Sequence, residues 1–241
     1  MLVYDIIIDQ SELDILKLSS EHIESTVSEI HNIDSWSLSN NLKLNKNKSC
    51  EIVFHSPRSK CTKIQPPAID GIHRVDKLKS LGVIIKSDFT FTDHINETIN
   101  SCASNLFAIR TLKAKGLNED LVNTVFKATV LSKLTYASQF WWGFLKSNEK
   151  ARLEAFLRKS QRFNFYSDSS TFEILAEAAD DRLFNSIINN PQHVLYPLLP
   201  PKKENSFYDL RPRGHNFKLP LRQSSISDKN FTTRMLFKNI F

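Results

Sequence analysis

The sequence predicts an α+β chain: a small antiparallel meander, then a helical bundle, then a basic, partly irregular tail. Three observations carry this. Short runs rich in β-formers, separated by turn residues, fill residues 50–90. From residue 93 the apolar period changes to three or four, the spacing of one helix face. Beyond residue 190, Pro191, Pro197, Pro200 and Pro201 break that period, and residues 201–241 hold nine bases against three acids. The implied segments are 1–90, 91–190 and 191–241.

Taken in order, residues 21–38 read as a helix with a stripe of Ile23, Val27, Ile30 and Ser37 or Leu38, ended by Asn40-Asn41. Residues 50–54 (CEIVF) form a strand closed by Pro57. Residues 57–67 are a turn-rich basic connection. Ile69-Asp70-Gly71-Ile72 carries a D-G hairpin signal, and residues 80–86 (SLGVIIK) read as one further strand. Asp93 is placed to cap a helix with Ile95, Ile99, Cys102, Leu106, Ile109 and Leu112 inward, and Gly116 ends it. Asn118 caps the next, whose first turn holds Glu119 and Asp120, where the helix dipole favours acids. Its stripe is Leu121, Val122, Val125, Phe126, Thr129 and Val130. Ser147 opens a third helix, with Leu153, Phe156 and Leu157 inward. Ser170-Thr171-Phe172-Glu173 is a capping box opening a fourth, with Ile174, Leu175, Ala178 and Leu183 as its inner face. Residues 231–241 form a last amphipathic stretch.

Composition excludes several classes. Five glycines in 241 residues argue against a Gly-rich phosphate cradle or a many-turned sandwich. Cys50, Cys61 and Cys102 are odd in number and form no C-x-x-C pair, so the expectation is reduced, packed thiols rather than disulfides or a local zinc knuckle. The first ten residues carry two acids and no base, unlike a signal peptide, and no apolar run approaches the roughly 20 residues that span a bilayer. The expectation is an intracellular chain, nuclear or cytoplasmic, without a membrane partner. A net charge of +6 suits a polyanion partner, RNA or DNA, although solubility alone also accounts for it.

Asp180 and Asp181 are the one adjacent aspartate pair. Such a pair holds catalytic magnesium in nucleic-acid polymerases only at a strand turn, where both carboxylates converge. Here both fall in the fourth helix, where neighbours diverge by about 100°. They are expected to be solvent-exposed charges whose removal is nearly silent.

Residues 36–54, WSLSNNLKLNKNKSCEIVF, resemble the end of the palm in reverse transcriptases of non-LTR (jockey-like, LINE-type) retrotransposons. Residues 77–95, KLKSLGVIIKSDFTFTDHI, resemble that family's next block, which carries the primer grip. Residues 131–143, LSKLTYASQFWWG, resemble a thumb segment, and residues 190–195, 211–220 and 231–237 (NPQHVL, RPRGHNFKLP, FTTRMLF) resemble its tail. The resemblance covers about residues 21–241. It implies a palm-edge meander, a thumb-like bundle and an RNA-directed DNA polymerase that uses magnesium when intact. The family's [FY]-A-D-D stands some 25 residues before the tryptophan aligned with Trp36; that window here reads IDQSELD and holds no adjacent aspartates. Two-metal phosphoryl transfer needs carboxylates that clamp ions about 4 Å apart. The resemblance therefore implies a truncated, non-catalytic remnant with no cofactor of its own and residual sequence-independent nucleic-acid binding. The alternative is a helical interaction module, or a reading frame without a selected role.

Nucleic-acid contacts are then expected at Lys43 and Lys48 after the first helix, and at Leu81, Gly82 and Val83, where glycine lets backbone approach a primer. In the tail they are expected at Arg211, Arg213, Lys218, Arg222 and Arg234. Each competes with a plainer role as a solvated lysine, a tight turn or a solvated tail. Tyr136, Trp141 and Trp142 suit base stacking or, more often for aromatics at a helix end, core packing. His94 and His193 have no metal-ligand spacing around them and are assigned to capping or packing.

Overall fold

A computed structural model describes residues 4–9, 15–19, 23–43, 45–55, 68–203, 215–222 and 224–238. The chain mixes helix and sheet, α+β, in two compact units, Met1–Phe91 and Thr92–Phe241. Arg211, Arg213, Cys61 and the 57–67 connection lie outside the described residues.

In the first unit, β1 (Tyr4–Asp9) and β2 (Ile15–Ser19) form an antiparallel pair. Helix α1 (Ile23–Ser39) follows, then β3 (Ser49–Val53), which pairs antiparallel with β1. The short β4 (His73–Arg74) lies parallel to β3, so the sheet order is β2-β1-β3-β4. This corrects the expected all-antiparallel meander. The Asp70-Gly71 turn exists, with Gly71 at φ 77° and Ile72 N–H donating to Ile69 C=O at 3.2 Å, but it does not join two antiparallel strands. A parallel partner needs a long crossover, which no local turn signal reveals.

Residues 77–86 hold a second correction. They form a hairpin, β5 (Lys77–Ser80) and β6 (Val83–Lys86), and not one strand. Ser80 pairs with Val83 across a two-residue turn in which Leu81 (φ 47°) and Gly82 (φ 82°) are both left-handed. Such turns match the strand twist, and usually carry Asn-Gly; a leucine in that region is costly and hides the signal. Ile52, Phe54 and Leu78 form the small core here, with Phe54 stacked on Phe89 at 4.4 Å.

The second unit is helical. α2 (Thr92–Ala114) buries Ile95, Cys102 and Ile109. α3 (Glu119–Phe126) starts at Asn118, whose side chain accepts from Leu121 N–H at 2.9 Å, as its sequence position predicts. It runs without a break through a π-helical turn (Lys127–Leu131) into α4 (Ser132–Leu134). The wide turn leaves the Thr129 carbonyl to accept from Asn105 Nδ2 of α2 at 3.1 Å. Ala137, at φ 51°, redirects the chain into the single turn α5 (Ser138–Trp141) and a 3₁₀ turn (Trp142–Phe144). Trp141 and Trp142 are core residues, packed on Phe172, while Tyr136 is exposed. His94 sits edge-on to Trp141, and His193 Nδ1 accepts from Leu195 N–H.

α6 (Ser147–Arg162) is preceded by Lys146, whose N–H donates to the buried Glu149 carboxylate at 2.8 Å. Ser147 is therefore not the cap; Glu149 supplies the acceptor from inside the first turn. α7 (Phe172–Asn189) is capped by Thr171. Its buried face is Phe172, Ala176, Ala179, Asp180, Phe184 and Ile187, with Ile174 55% exposed. The expected inner face is thus rotated, because the true stripe contains a carboxylate that apolar periodicity discounts. α8 (Phe231–Phe237), capped by Asn230, packs through Met235 and Leu236 with Phe217 on Phe184. The described tail is part of the second unit's core.

Cys102 is fully buried, its thiol donating toward Val130 C=O at 3.7 Å, and burial pushes its pKa up to about 11. A thiolate is the reactive form. Cys102 is expected to resist iodoacetamide at pH 8 in the folded chain and to label fully in guanidinium, as read by peptide mass spectrometry.

Candidate nucleic-acid interface

The expected contact residues scatter. In the first unit Lys43 and Lys48 are exposed on the loop after α1, with Lys48 N–H tied to Asn45 C=O at 3.0 Å. Lys43 borders an open groove with His31, Asp34, Leu38 and Lys46. At the β5–β6 tip, Leu81 is 61% exposed and Gly82 supplies the turn, while Val83 is buried and offers no side chain to a ligand. In the second unit Lys218 is exposed and its N–H donates to Pro201 C=O. Arg222 lies over the Phe237 ring, 4.5 Å from its centroid.

Arg234 is turned inward, which removes it as a ready phosphate contact. Its guanidinium meets Asp180 at 2.6 Å through Nη1 and 3.4 Å through Nη2. Nη2 also donates to Gln139 C=O at 3.1 Å and Nε to Lys229 C=O at 3.2 Å. Gly143 lies beneath: a Cβ there would stand 2.1 Å from the Lys229 carbonyl oxygen. Lys238 Nζ meets both Asp181 oxygens, at 2.7 and 2.9 Å.

The aspartate pair is therefore half as expected. The carboxylates do diverge, each to its own cation, and among the described residues no group of three or more His, Cys, Asp or Glu is placed to hold a metal. Asp180, however, is 2% exposed, not a solvent-side charge. Burial pushes its carboxyl upward; the hydrogen bond and charge of Arg234, with Lys238 behind, draw it back only in part.

The sequence predicts α6 itself but not the character of its outer face. Its inner face is Glu149, Leu153, Leu157 and Ser160. Its outer face carries exposed Arg152, Ala155, Lys159 and Arg162 at spacings of three and four, leading to Phe163, 55% exposed. Arg152, Lys159 and Arg162 make no ion pair with a described residue, and Arg158 reaches Glu154 only at 3.8 Å. Over about 15 Å of helix axis this face presents cations and no exposed acid. The signal is in the sequence, at 152, 159 and 162: α6 holds five bases in 16 residues, a higher density than the tail's nine in 41. Beside its C-terminal end, Lys113 Nζ donates to the Phe163 and Asn164 carbonyls and to the Glu119 carboxylate.

An acid-lined depression of Glu119, Asp120, Asn123, Tyr166 and Asp168 bounds this region. Burial and the Asp168 carboxylate push the Tyr166 phenol up to about 12. Hydrogen bonds from Ser170 hold Asp168 below the usual carboxylate range. Burial works to raise Asp88, but hydrogen bonds from Thr90 and the Lys86 charge hold it low as well.

Among the described residues no helix is long and apolar enough to cross a membrane. No protein-family model matches the chain, and comparison with curated proteins and with solved structures gives no match.

Two measurements follow. Asp180→Ala leaves Arg234 buried and unpaired and is expected to cost about 3–5 kcal/mol, against under about 1 kcal/mol for Asp181→Ala, by urea unfolding. Asp88 and Asp168 bind protons less readily folded than unfolded, so their stabilisation is full above the ordinary carboxylate range and lost as pH falls through it. Asp88→Asn is therefore expected to flatten the acid limb of a stability–pH curve.

Proposed function

We propose that this chain is a non-catalytic portion of a non-LTR retrotransposon reverse transcriptase, and that it binds single-stranded RNA or DNA without base preference. In this reading the first unit is the palm edge and the helices from α2 to α7 are the thumb. The observation that carries the binding is the outer face of α6, where Arg152, Lys159 and Arg162 stand exposed without acidic partners and end on an exposed phenylalanine. Phosphates would meet the cations through counterion release, and Phe163 offers a ring on which any base stacks. The four blocks beginning at residues 36, 77, 131 and 190 support the family assignment. Against catalysis stands the use of the one adjacent aspartate pair: both members are committed to cations of the tail.

The surface moves from where charge counting puts it. Of the tail's described cations, Arg234 and Lys238 face carboxylates and Arg222 faces a ring. The combined variant Arg152→Glu, Lys159→Glu, Arg162→Glu is expected to weaken binding of a fluorescent oligothymidylate and to flatten the salt slope by about 2, at roughly 0.7 per lost contact. Equal affinity and slope in variant and wild type, by anisotropy at several salt concentrations, would remove α6 as the surface. A primed template with magnesium is expected to show no incorporation above a tag-only control.

A further inference from the structure

α2 and α6 run side by side in the same direction. Thr92 Oγ, at the start of α2, donates to Glu149 in the first turn of α6. Lys113 Nζ, in the last turn of α2, donates to the Phe163 and Asn164 carbonyls where α6 ends. The far flank of each helix is closed by another neighbour. On α2, Asn105 Nδ2 donates to Thr129 C=O of the π-helical turn. On α6, Glu154 accepts from Phe172 N–H, and Gln161 Nε2 donates to the Asp168 and Ser170 carbonyls. A helix turns by about 100° per residue, so Arg110 and Phe107 lie about 140° and 160° around α2 from Asn105. By the same geometry Arg152, Lys159 and Phe163 lie about 140–180° around α6 from Glu154. With the buried stripes of both helices turned to the core, these two flanks adjoin and open outward together.

We propose that α2 and α6 form one composite face for an unpaired strand, in which Phe107 is a second platform for a base and Arg110 a further phosphate contact. The inference rests on the nucleic-acid reading and deepens it, from one helix to two. Phe107 is 72% exposed, so it does little for the core. Arg110 is exposed and makes no ion pair with a described residue. From Thr98 to its end α2 holds no acid, so nothing on this flank opposes a phosphate chain. Phe107 stands six residues before Lys113, about 9 Å back along the axis, so the two rings are set apart and each can take its own base. Cations with two separated rings suit a strand whose bases are free to turn outward, since every base has a face to stack.

The test uses the full chain, a fluorescent oligothymidylate and an abasic strand of equal length, by anisotropy at several salt concentrations. Phe107→Ala is expected to weaken oligothymidylate binding roughly tenfold with the salt slope unchanged, and to leave binding of the abasic strand as it is. Phe107→Tyr keeps the ring and is expected to keep the affinity. Arg110→Gln is expected to flatten the slope by about 0.7 on both strands, one lost contact. Ile174→Ala, a change of an equally exposed apolar side chain on α7, serves as the control and is expected to leave affinity and slope unchanged. Wild-type behaviour of Phe107→Ala and Arg110→Gln, with binding still lost in the α6 triple variant, overturns the composite face alone. So does an equal effect of Phe107→Ala on the two strands, or a loss by Phe107→Tyr as large as by Phe107→Ala. Absence of any salt-dependent binding by the wild-type chain overturns the nucleic-acid reading and the composite face together.

Discussion

One buried ion pair organises the second unit. Asp180 and Arg234 are 54 residues apart, and the guanidinium also takes carbonyls from Gln139 and Lys229. Three stretches of chain, around α5, on α7 and ahead of α8, are thereby held to one planar group. Arginine suits this role because its donors form a rigid fork, so satisfying one acceptor aims the others. The cost of burying two charges means that such a pair adds little net stability over an apolar one. Removing one partner is still severe, since the other charge stays behind. What the pair supplies is position. Gly143 records the same constraint from below: any side chain there would strike the Lys229 carbonyl.

The first unit repeats the arrangement on a smaller scale. Glu51 on β3 is 1% exposed and is held by Arg74 of β4 through Nε at 2.8 Å and Nη2 at 2.9 Å. β4 is only two residues long and parallel to its neighbour, a pairing slightly weaker per residue than antiparallel. Two ladder positions alone would hold it poorly. The bidentate side-chain bridge, set at the register position where Glu51 faces Arg74, supplies the missing attachment. In both units a carboxylate on an earlier element fastens an arginine on a later one.

That shared device explains what was legible in the sequence. Whatever depends on near neighbours reads well: the Asn118 cap, the helical stretches from residue 92 onward, the Asp70-Gly71 turn and the burial of Trp141 and Trp142. Whatever depends on a distant partner does not. β4 is invisible because its pairing is parallel and its crossover long. The phase of α7 is misread because Asp180 counts as polar until Arg234 is known to meet it. The Leu81-Gly82 turn fails for a different reason, a leucine accepting a left-handed conformation that the usual turn residues would have announced.

The same reasoning separates formal charge from available charge. The tail holds nine bases against three acids, yet of its described arginines Arg234 is turned to Asp180, and Arg222, exposed, lies over the Phe237 ring. α6 carries five bases in 16 residues, and its two acids also serve other contacts: Glu149 receives the Lys146 N–H and the Thr92 hydroxyl, and Glu154 accepts from Phe172 N–H at 2.7 Å. Arg152, Lys159 and Arg162 are left exposed without a carboxylate among the described residues, while Arg158 reaches Glu154 and Lys150 lies over the Trp142 ring. A polyanion responds to the field at the surface, not to the sum along the chain. Where a basic segment also folds against carboxylates, counting residues overstates its attraction.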